Sequence, residues 1–354
     1  MIKGPEQGSP QGMKHVPIIR FLRTLFLALA AAAAVSVSAQ PNGSAVLPTN
    51  FPDPFVLVHG GRYYAYATNA NGANVPMAFS NDLRSWNLLA VPNNPNAFHD
   101  AMPTLPAWAA RGRTWAPEVL RVGNNFILYF TAHHRGRDQQ CIGAAVSRDP
   151  RGPFVPRGGD PMVCQHRLGG TIDANPFRDS DGQLYLYFKN DGNHPSARTA
   201  THLWGQRMAA DGLSLVGEPA ALVRNDAGWE GHLVEAPFMV RRGERYVMFF
   251  SANDYAWQRH QRLSNYATGY AACTTPLGPC TDSAANPILA SQRRPLCLSG
   301  PGHPAVFEAG GRQYIAFHAW AARRNCSPAG DARFLHIAPL NWNGDVPVIG
   351  LAGR

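Results

Sequence analysis

The chain has 354 residues, which allows two ordinary domains or one large β architecture; with 45% apolar and 16% charged residues it is too apolar and too weakly charged for disorder. Its 34 glycines and 30 prolines make about one residue in five or six a turn former, against roughly one in eight on average, and that density excludes long helices. The formal charge of +9 shrinks once residues 1–39 are set aside: they hold Lys3, Lys14, Arg20 and Arg23 against Glu6, leaving 28 basic and 22 acidic residues, a net +6. Lys189 is then the only lysine, and the arginines are scattered as singles and pairs such as Arg241-Arg242 and Arg293-Arg294. Nucleic-acid surfaces cluster their basic residues with interleaved aromatics, so no nucleic acid is expected as a partner.

At the N-terminus a basic stretch, Lys14 to Arg23, precedes the apolar run TLFLALAAAAAVSV (24–37) and the small-x-small pattern Val37-Ser38-Ala39. This is the layout of an export signal, residues 1–39, opened by Met13 as the expected true start and cleaved after Ala39. An apolar run of about 14 residues is short for a membrane anchor, and no membrane association is expected after cleavage. Export places the mature chain, residues 40–354, outside the cell or in the periplasm. All six cysteines lie there, an even number suited to an oxidising compartment. None forms a Cys-x-x-Cys pair, which argues against structural zinc. Many connectivities are open; the simplest joins sequence neighbours, 141–164, 273–280 and 297–326.

Five segments then share one pattern, in which a small or acidic residue and a proline open an alternating apolar run, a polar turn follows, and an aromatic-rich strand ends the unit. They are DPFVLVHGGRYYAYA (53–67), APEVLRVGNNFILYF (116–130), NPFRDSDGQLYLYF (175–188), APFMVRRGERYVMFF (236–250) and HPAVFEAGGRQYIAF (303–317). Their prolines, Pro54, Pro117, Pro176, Pro237 and Pro304, are separated by 63, 59, 61 and 67 residues. Dipeptides such as Gly60-Gly61, Gly123-Asn124, Asp181-Gly182 and Gly310-Gly311 between β-rich runs predict hairpins. A second hairpin is expected after each, at 75–89, 141–155, 203–217, 266–280 and 334–348. Four antiparallel strands recurring five times predict a single all-β domain over 40–354, a five-bladed β-propeller. The 315 residues of 40–354 divide into about 63 per blade, more than the roughly 40–45 of a WD-type blade, so the loops are long. The competing arrangement is a β-sandwich with coincidental spacing.

Function should show where equivalent positions differ. Counted from the frame proline, Asp53 stands at −1, Asp173 at −3, Glu235 at −2 and His303 at −1, while the second blade has Ala116 at −1 and Trp115 at −2. The first strand of each propeller blade lines the axis, so these residues converge on one mouth of the channel. Carboxylates set among apolar neighbours are poor surface residues. Crowding raises the pKa of one and leaves another ionised, which yields the acid and base that glycoside hydrolysis needs. Taken singly, each acid is equally well read as a turn residue or an interblade ion-pair partner.

The motifs PDPF, WAPEV, TIDANPFRDSDGQLYLYFKNDGN, WEGHLVEAPFMV and GPGHP, running from about Asp53 to Trp342, resemble glycoside hydrolase family 43, whose members are five-bladed propellers. The resemblance implies Asp53 as general base, Glu235 as general acid and Asp173 as the acid that tunes and orients, with inversion of the anomeric centre. It implies that Asp173 raises the Glu235 pKa as a like charge. His303 resembles a channel histidine beside a bound calcium or water cluster; no cofactor is required, and a structural calcium there would be held largely by water. Trp115 is the sugar-stacking candidate, with blade packing as its alternative, and Arg333 resembles an arginine that reaches the channel, with solvation as its alternative. Glu118, where aspartate is frequent, and Asn175 depart from the pattern, and His133-His134 has no assigned role. Arg148-Asp149-Pro150 mimics a motif of fructan-acting propellers but falls in an outer hairpin turn. KNDGN and SANDY resemble arabinan-acting members. The expected substrate is a neutral plant polysaccharide, arabinan or arabinoxylan, cleaved by a monomeric exo-α-L-arabinofuranosidase. Endo-arabinanase and β-xylosidase are the enzymatic alternatives, and a non-catalytic glycan-binding propeller or a structural interaction propeller the others.

Overall fold

The computed structural model describes Met1 and residues 42–91, 94–257, 263–293 and 296–352. The expected export signal, apart from Met1, lies outside the described residues. After a short strand β1 (Ala45–Leu47), the first blade is formed by β2 (Phe55–His59), β3 (Arg62–Tyr66), β4 (Met77–Ser80) and β5 (Asn87–Leu88), followed by a small hairpin of β6 (Ala90–Val91) and β7 (Asn94–Phe98). Blade two contains β8 (Ala109–Val122), β9 (Asn125–His134), β10 (Gln140–Ser147) and β11 (Val155–Arg157). Blade three contains β12 (Thr171–Arg178), β13 (Leu184–Asn190), β14 (His202–Met208) and β15 (Leu215–Arg224). Blade four contains β16 (Val234–Arg242), β17 (Arg245–Ala252), β18 (Ala267–Cys273) and β19 (Cys280–Asp282). Blade five contains β20 (Gly302–Ala309), β21 (Arg312–Ala322), β22 (Pro328–Asn343) and β23 (Val346–Ile349).

Each inner strand touches the inner strands of both neighbours, β2 meeting β8 and β20, so the five sheets close a ring. Blade five departs from the four-strand expectation. The outer edge of the long β22 is shared, with β23 pairing near its end (Leu340↔Ile349) and β1 pairing further in (Leu47↔Leu335). Joining the N-terminal strand to the last blade ties the two ends of the ring together without leaving a free edge there. Two-residue loops connect β2 to β3 and β20 to β21, where Gly60-Gly61 and Gly310-Gly311 all have positive φ, as type I′ hairpins demand. Blade three differs, because Arg178 pairs with Leu184 and Asp181-Gly182 sits in a longer loop. The second strand of each blade is a nearly continuous apolar run because neighbouring blades cover both of its faces, and Tyr129, Tyr187, Phe250 and Phe317 are fully buried. The three neighbour disulfides form as expected, 141–164, 273–280 and 297–326.

One backbone feature recurs in every blade. Asp53, Ala116, Asp173, Ala236 and His303 have φ of 54, 46, 59, 53 and 55°, in the left-handed region that non-glycine residues rarely enter. In blades two to five this residue sits at a register break of the inner strand, between Trp115 and Glu118, Ile172 and Asn175, Glu235 and Phe238, or Gly302 and Ala305. These bulges, and not the prolines, are the true frame. Proline follows the left-handed residue in four blades, but in blade three Ala174 follows it and Pro176 lies two residues further on. Asp173 is therefore the counterpart of Asp53 and His303, and Glu235 stands one residue earlier, the counterpart of Trp115.

Each left-handed residue presents an N–H that the sheet no longer receives. In four blades a side chain from the second strand of the preceding blade, or just past its end, accepts it: His318 Nδ1 for Asp53 (3.1 Å), Thr68 Oγ1 for Ala116 (2.9 Å), Thr131 Oγ1 for Asp173 (3.1 Å) and Ser251 Oγ for His303 (2.8 Å). In blade four Asp173 Oδ2 accepts the Ala236 N–H instead (2.9 Å). A buried N–H left without an acceptor costs about 1–3 kcal/mol. Thr131→Val, which keeps the shape and deletes the acceptor, is expected to destabilise the protein by that amount, read as a lower urea midpoint with unchanged m.

Candidate active site

The left-handed turns aim side chains from several blades into one cavity of about 390 Å³ at a mouth of the channel. Asp53, Asp173 and Glu235 reach it from blades one, three and four, with Trp115 from β8, His303 from β20 and Arg333 from β22. All six candidate residues are thus brought together. Residues to which the sequence assigned no site role complete the lining, chiefly Lys189 from β13, Asn193 and His194 from the loop that follows it, and Tyr255 and Tyr266 from blade four.

Asp53 is held from several sides. Its Oδ1 meets Arg333 Nη1 at 2.9 Å and lies 3.2 Å from His318 Nδ1, and its Oδ2 accepts the Thr68 hydroxyl at 2.6 Å. Burial by itself pushes this carboxyl up and is the largest single influence, but the polar groups around it, the Arg333 guanidinium foremost, together outweigh it and hold Asp53 well below the ordinary carboxylate range. His318 is pushed down to about 4 by burial and by Arg333, so it is a neutral ring. Arg333 is half-buried, its guanidinium near the rings of Tyr255 and Trp320, 5.6 and 5.7 Å from their centroids. It reaches the channel mouth, as the resemblance implies, and there it bonds Asp53.

Glu235 has a donor on each oxygen, Lys189 Nζ at 3.0 Å from Oε2 and the Tyr266 hydroxyl at 2.7 Å from Oε1. Burial is the largest influence and raises its pKa, but the Lys189 charge together with the hydrogen bonds from Tyr266 and Lys189 outweighs it, and the net direction is down. Asp173 moves the other way, pushed well above its usual value by burial and by the Glu235 charge. The expected pattern, with Asp173 holding Glu235 protonated as a like charge, is corrected here. Lys189 is the physical reason: a fully buried ammonium favours the ionised form of the acid it touches, and the proton goes to the neighbour.

His303 is buried, its Nδ1 lies 3.7 Å from Asp53 Oδ1, and burial lowers its pKa. Among the described residues it joins no group of three metal-ligating side chains. A calcium ligated directly there does not fit the donors: calcium takes oxygen ligands, and the acid beside His303 is already neutralised by Arg333. Glu118 and Asn175 lie outside the cavity lining and bond each other, Asn175 Nδ2 donating to Glu118 Oε2 at 2.7 Å while Asn175 Oδ1 accepts the Met239 N–H at 2.9 Å. They tie blades two, three and four together. His133 pairs with exposed Asp138 and His134 stacks on Trp108, both in blade two and outside the cavity lining. The Arg148-Asp149-Pro150 stretch lies in the outer turn between β10 and β11, as expected.

A five-bladed propeller with three acids, buried Lys189 and half-buried Arg333 gathered at one mouth is equipped for acid–base chemistry on a ligand held over the channel. The model of the glycosyl hydrolases family 43 matches residues 43–347, and the chain belongs to that family of glycoside hydrolases. It is 26% identical over 298 residues to the beta-D-galactofuranosidase xynD of Aspergillus niger, covering 80% of this chain and 78% of that protein. It is 24% identical over 315 residues to the extracellular exo-alpha-(1->5)-L-arabinofuranosidase ArbA of Cellvibrio japonicus, covering 83% and 84%. A crystal structure of a thermostable family-43 glycoside hydrolase superposes with a TM-score of 0.74 at 28% identity, over 89% of this chain and 96% of that one.

Because Arg333 is what keeps Asp53 ionised, Arg333→Met is expected to raise the Asp53 pKa. The acid limb of the kcat/KM profile then moves to higher pH, measurable on any substrate the wild type cleaves.

Proposed function

We propose that the protein is a secreted or periplasmic, inverting exo-α-L-arabinofuranosidase acting on arabinan or arabinoxylan side chains. The observation that carries this reading is the split of the carboxyl environments across one small cavity. Asp53 is clamped as an anion by Arg333 and Thr68, and Glu235, on another blade, is hydrogen-bonded at both oxygens. In this reading Asp53 takes a proton from a water that attacks the anomeric carbon. Glu235 gives its proton to the departing glycosidic oxygen on the opposite face. Asp173, through its bond to the Ala236 N–H, orients the strand from which Glu235 projects. Trp115 offers the sugar an aromatic face, and His303 covers the Asp53 side.

A furanoside is favoured because two of the similar proteins, the galactofuranosidase of Aspergillus niger and the arabinofuranosidase of Cellvibrio japonicus, carry furanoside names. A cavity of about 390 Å³ lies at the small end of ligand pockets, which suits a terminal sugar. Three disulfides and the export-like N-terminus support secretion. We read the working form as a monomer that needs no cofactor.

The test is a product and anomer assay on nitrophenyl α-L-arabinofuranoside, nitrophenyl β-xyloside and linear arabinan, with NMR following the first anomer released. Arabinose of inverted configuration is expected; oligomers from arabinan would indicate endo action, xylose a xylosidase, and retention would remove the mechanism. Asp53→Ala and Glu235→Ala should each lower kcat by about 10³-fold or more in protein that still shows a cooperative thermal transition, and wild-type-like turnover in either sinks the assignment. Productive enzyme needs Asp53 ionised and Glu235 protonated. Both carboxyls sit below their usual values, so kcat/KM is expected to fall continuously as pH rises from the acid range through neutrality; an optimum on the alkaline side contradicts this.

A further inference from the structure

Lys189 occupies a position with a defined counterpart in every blade. It pairs across the sheet with Ile172, just as Thr131 pairs with Trp115, Ser251 with Glu235 and His318 with Gly302, while the Thr68 N–H bonds the Pro52 carbonyl. In four blades this residue accepts the left-handed N–H of the next blade. A lysine has no acceptor to offer. In blade three that duty passes to Asp173, and the position is released to hold a cation. The side chain is fully buried, with Nζ 2.7 Å from Asn193 Oδ1, 3.0 Å from Glu235 Oε2 and 3.7 Å from Asp191 Oδ1.

We infer that Lys189 is a positioning residue for the proton donor, holding Glu235 toward the leaving group and stabilising the carboxylate that proton donation creates. The inference rests on the reading of Glu235 as general acid. As the glycosidic C–O bond breaks, its electron pair stays on the leaving oxygen, the Glu235 O–H bond breaks, and the proton passes to that oxygen. The carboxylate left behind is met by two donors already in place, Lys189 Nζ and the Tyr266 hydroxyl. Donors fixed before charge develops are worth more than donors that must reorganise. Asn193 and Asp191 keep the ammonium from collapsing into any other arrangement. The titratable groups that act on Glu235 or Lys189 are Asp173 from β12, Asp191 from the loop after β13, Tyr266 beside β18, His303 from β20, and Asp53 from blade one; His194, in the loop after β13, acts on Asp191. Lys189 is the closest cation to Glu235, and burial of the pair keeps salt from screening it.

The test compares Lys189→Met, Lys189→Arg and Lys189→Gln with wild type on two substrates that share the cleaved sugar. One is the nitrophenyl glycoside the wild type cleaves best, whose leaving group needs little protonation, and the other is the matching oligosaccharide, whose leaving group needs the proton. Lys189→Met is expected to lose about tenfold or more on the oligosaccharide and much less on the nitrophenyl glycoside. The alkaline limb of its kcat/KM profile moves to higher pH, since Glu235 keeps its proton longer without the ammonium. Lys189→Arg restores most of the oligosaccharide rate. Lys189→Gln, which retains a polar head for Asn193, gives the same result as Lys189→Met and serves if the methionine variant does not fold. Equal losses on both substrates with an unmoved alkaline limb, in whichever variant folds, overturn the inference. Glu235→Gln is the control: if it keeps the oligosaccharide rate, Glu235 is not the donor and the functional reading fails first. If Glu235→Gln is inactive and the lysine variants show unmoved limbs, only the role of Lys189 is wrong.

Discussion

The structure depends on one repeated constraint, a left-handed residue in the inner strand of each blade whose N–H is accepted by the preceding blade. A non-glycine residue in this conformation is strained by roughly 1–3 kcal/mol and persists only where its surroundings over-determine it. Here the surroundings are the ring itself, since blade five supplies the acceptor for blade one and the chain closes on its own N-terminal strand. The same kink turns a side chain out of the pleat and toward the axis. Three of the five kinked residues, Asp53, Asp173 and His303, thereby enter the cavity. Closure of the fold and assembly of the site are consequences of one backbone device.

The electrostatics of the site follow from which cation stands beside which acid. Burial is the largest influence on all four acids; beside Arg333 and Lys189 it is outweighed at Asp53 and Glu235, while Asp173 and Asp191 stay raised. Two ionised acid–cation pairs and raised neighbours are a lower-energy solution than several crowded carboxylates, because unpaired buried charge is costly. This arrangement also explains why Asp173 does not act as a like charge on Glu235 in the free enzyme. It bonds the Ala236 N–H and sets the path of the strand that carries Glu235.

Much of this was legible before any coordinates. The proline spacing near 60 residues and the glycine-rich dipeptides reported five repeated hairpin units, and the three acids stood out because their repeat-mates are alanine, tryptophan or histidine. Other parts were not legible. The proline frame misaligned Asp173 by two residues, since the bulge and not the proline defines the position. Tyr266, Thr68 and His318 carry no local signal; each is an ordinary residue in or beside a strand until the ring brings it beside an acid. Lys189 did carry one, as the sole lysine of the chain after residue 39, but its isolation in KNDGN said nothing of the partner 46 residues away.

Taken alone, the sequence determined the all-β repeat and singled out the three acids, because these follow from local periodicity, turn chemistry and differences between repeat-mates; it left the cysteine pairing open, with neighbour pairs the simplest choice. The tertiary structure decided the charge of each acid and the partner of each polar group. Those depend on distances between residues as far apart as Asp53 and Arg333, 280 positions along the chain yet 2.9 Å apart in space. A pKa responds to burial and to the nearest charge, and neither exists until the ring closes.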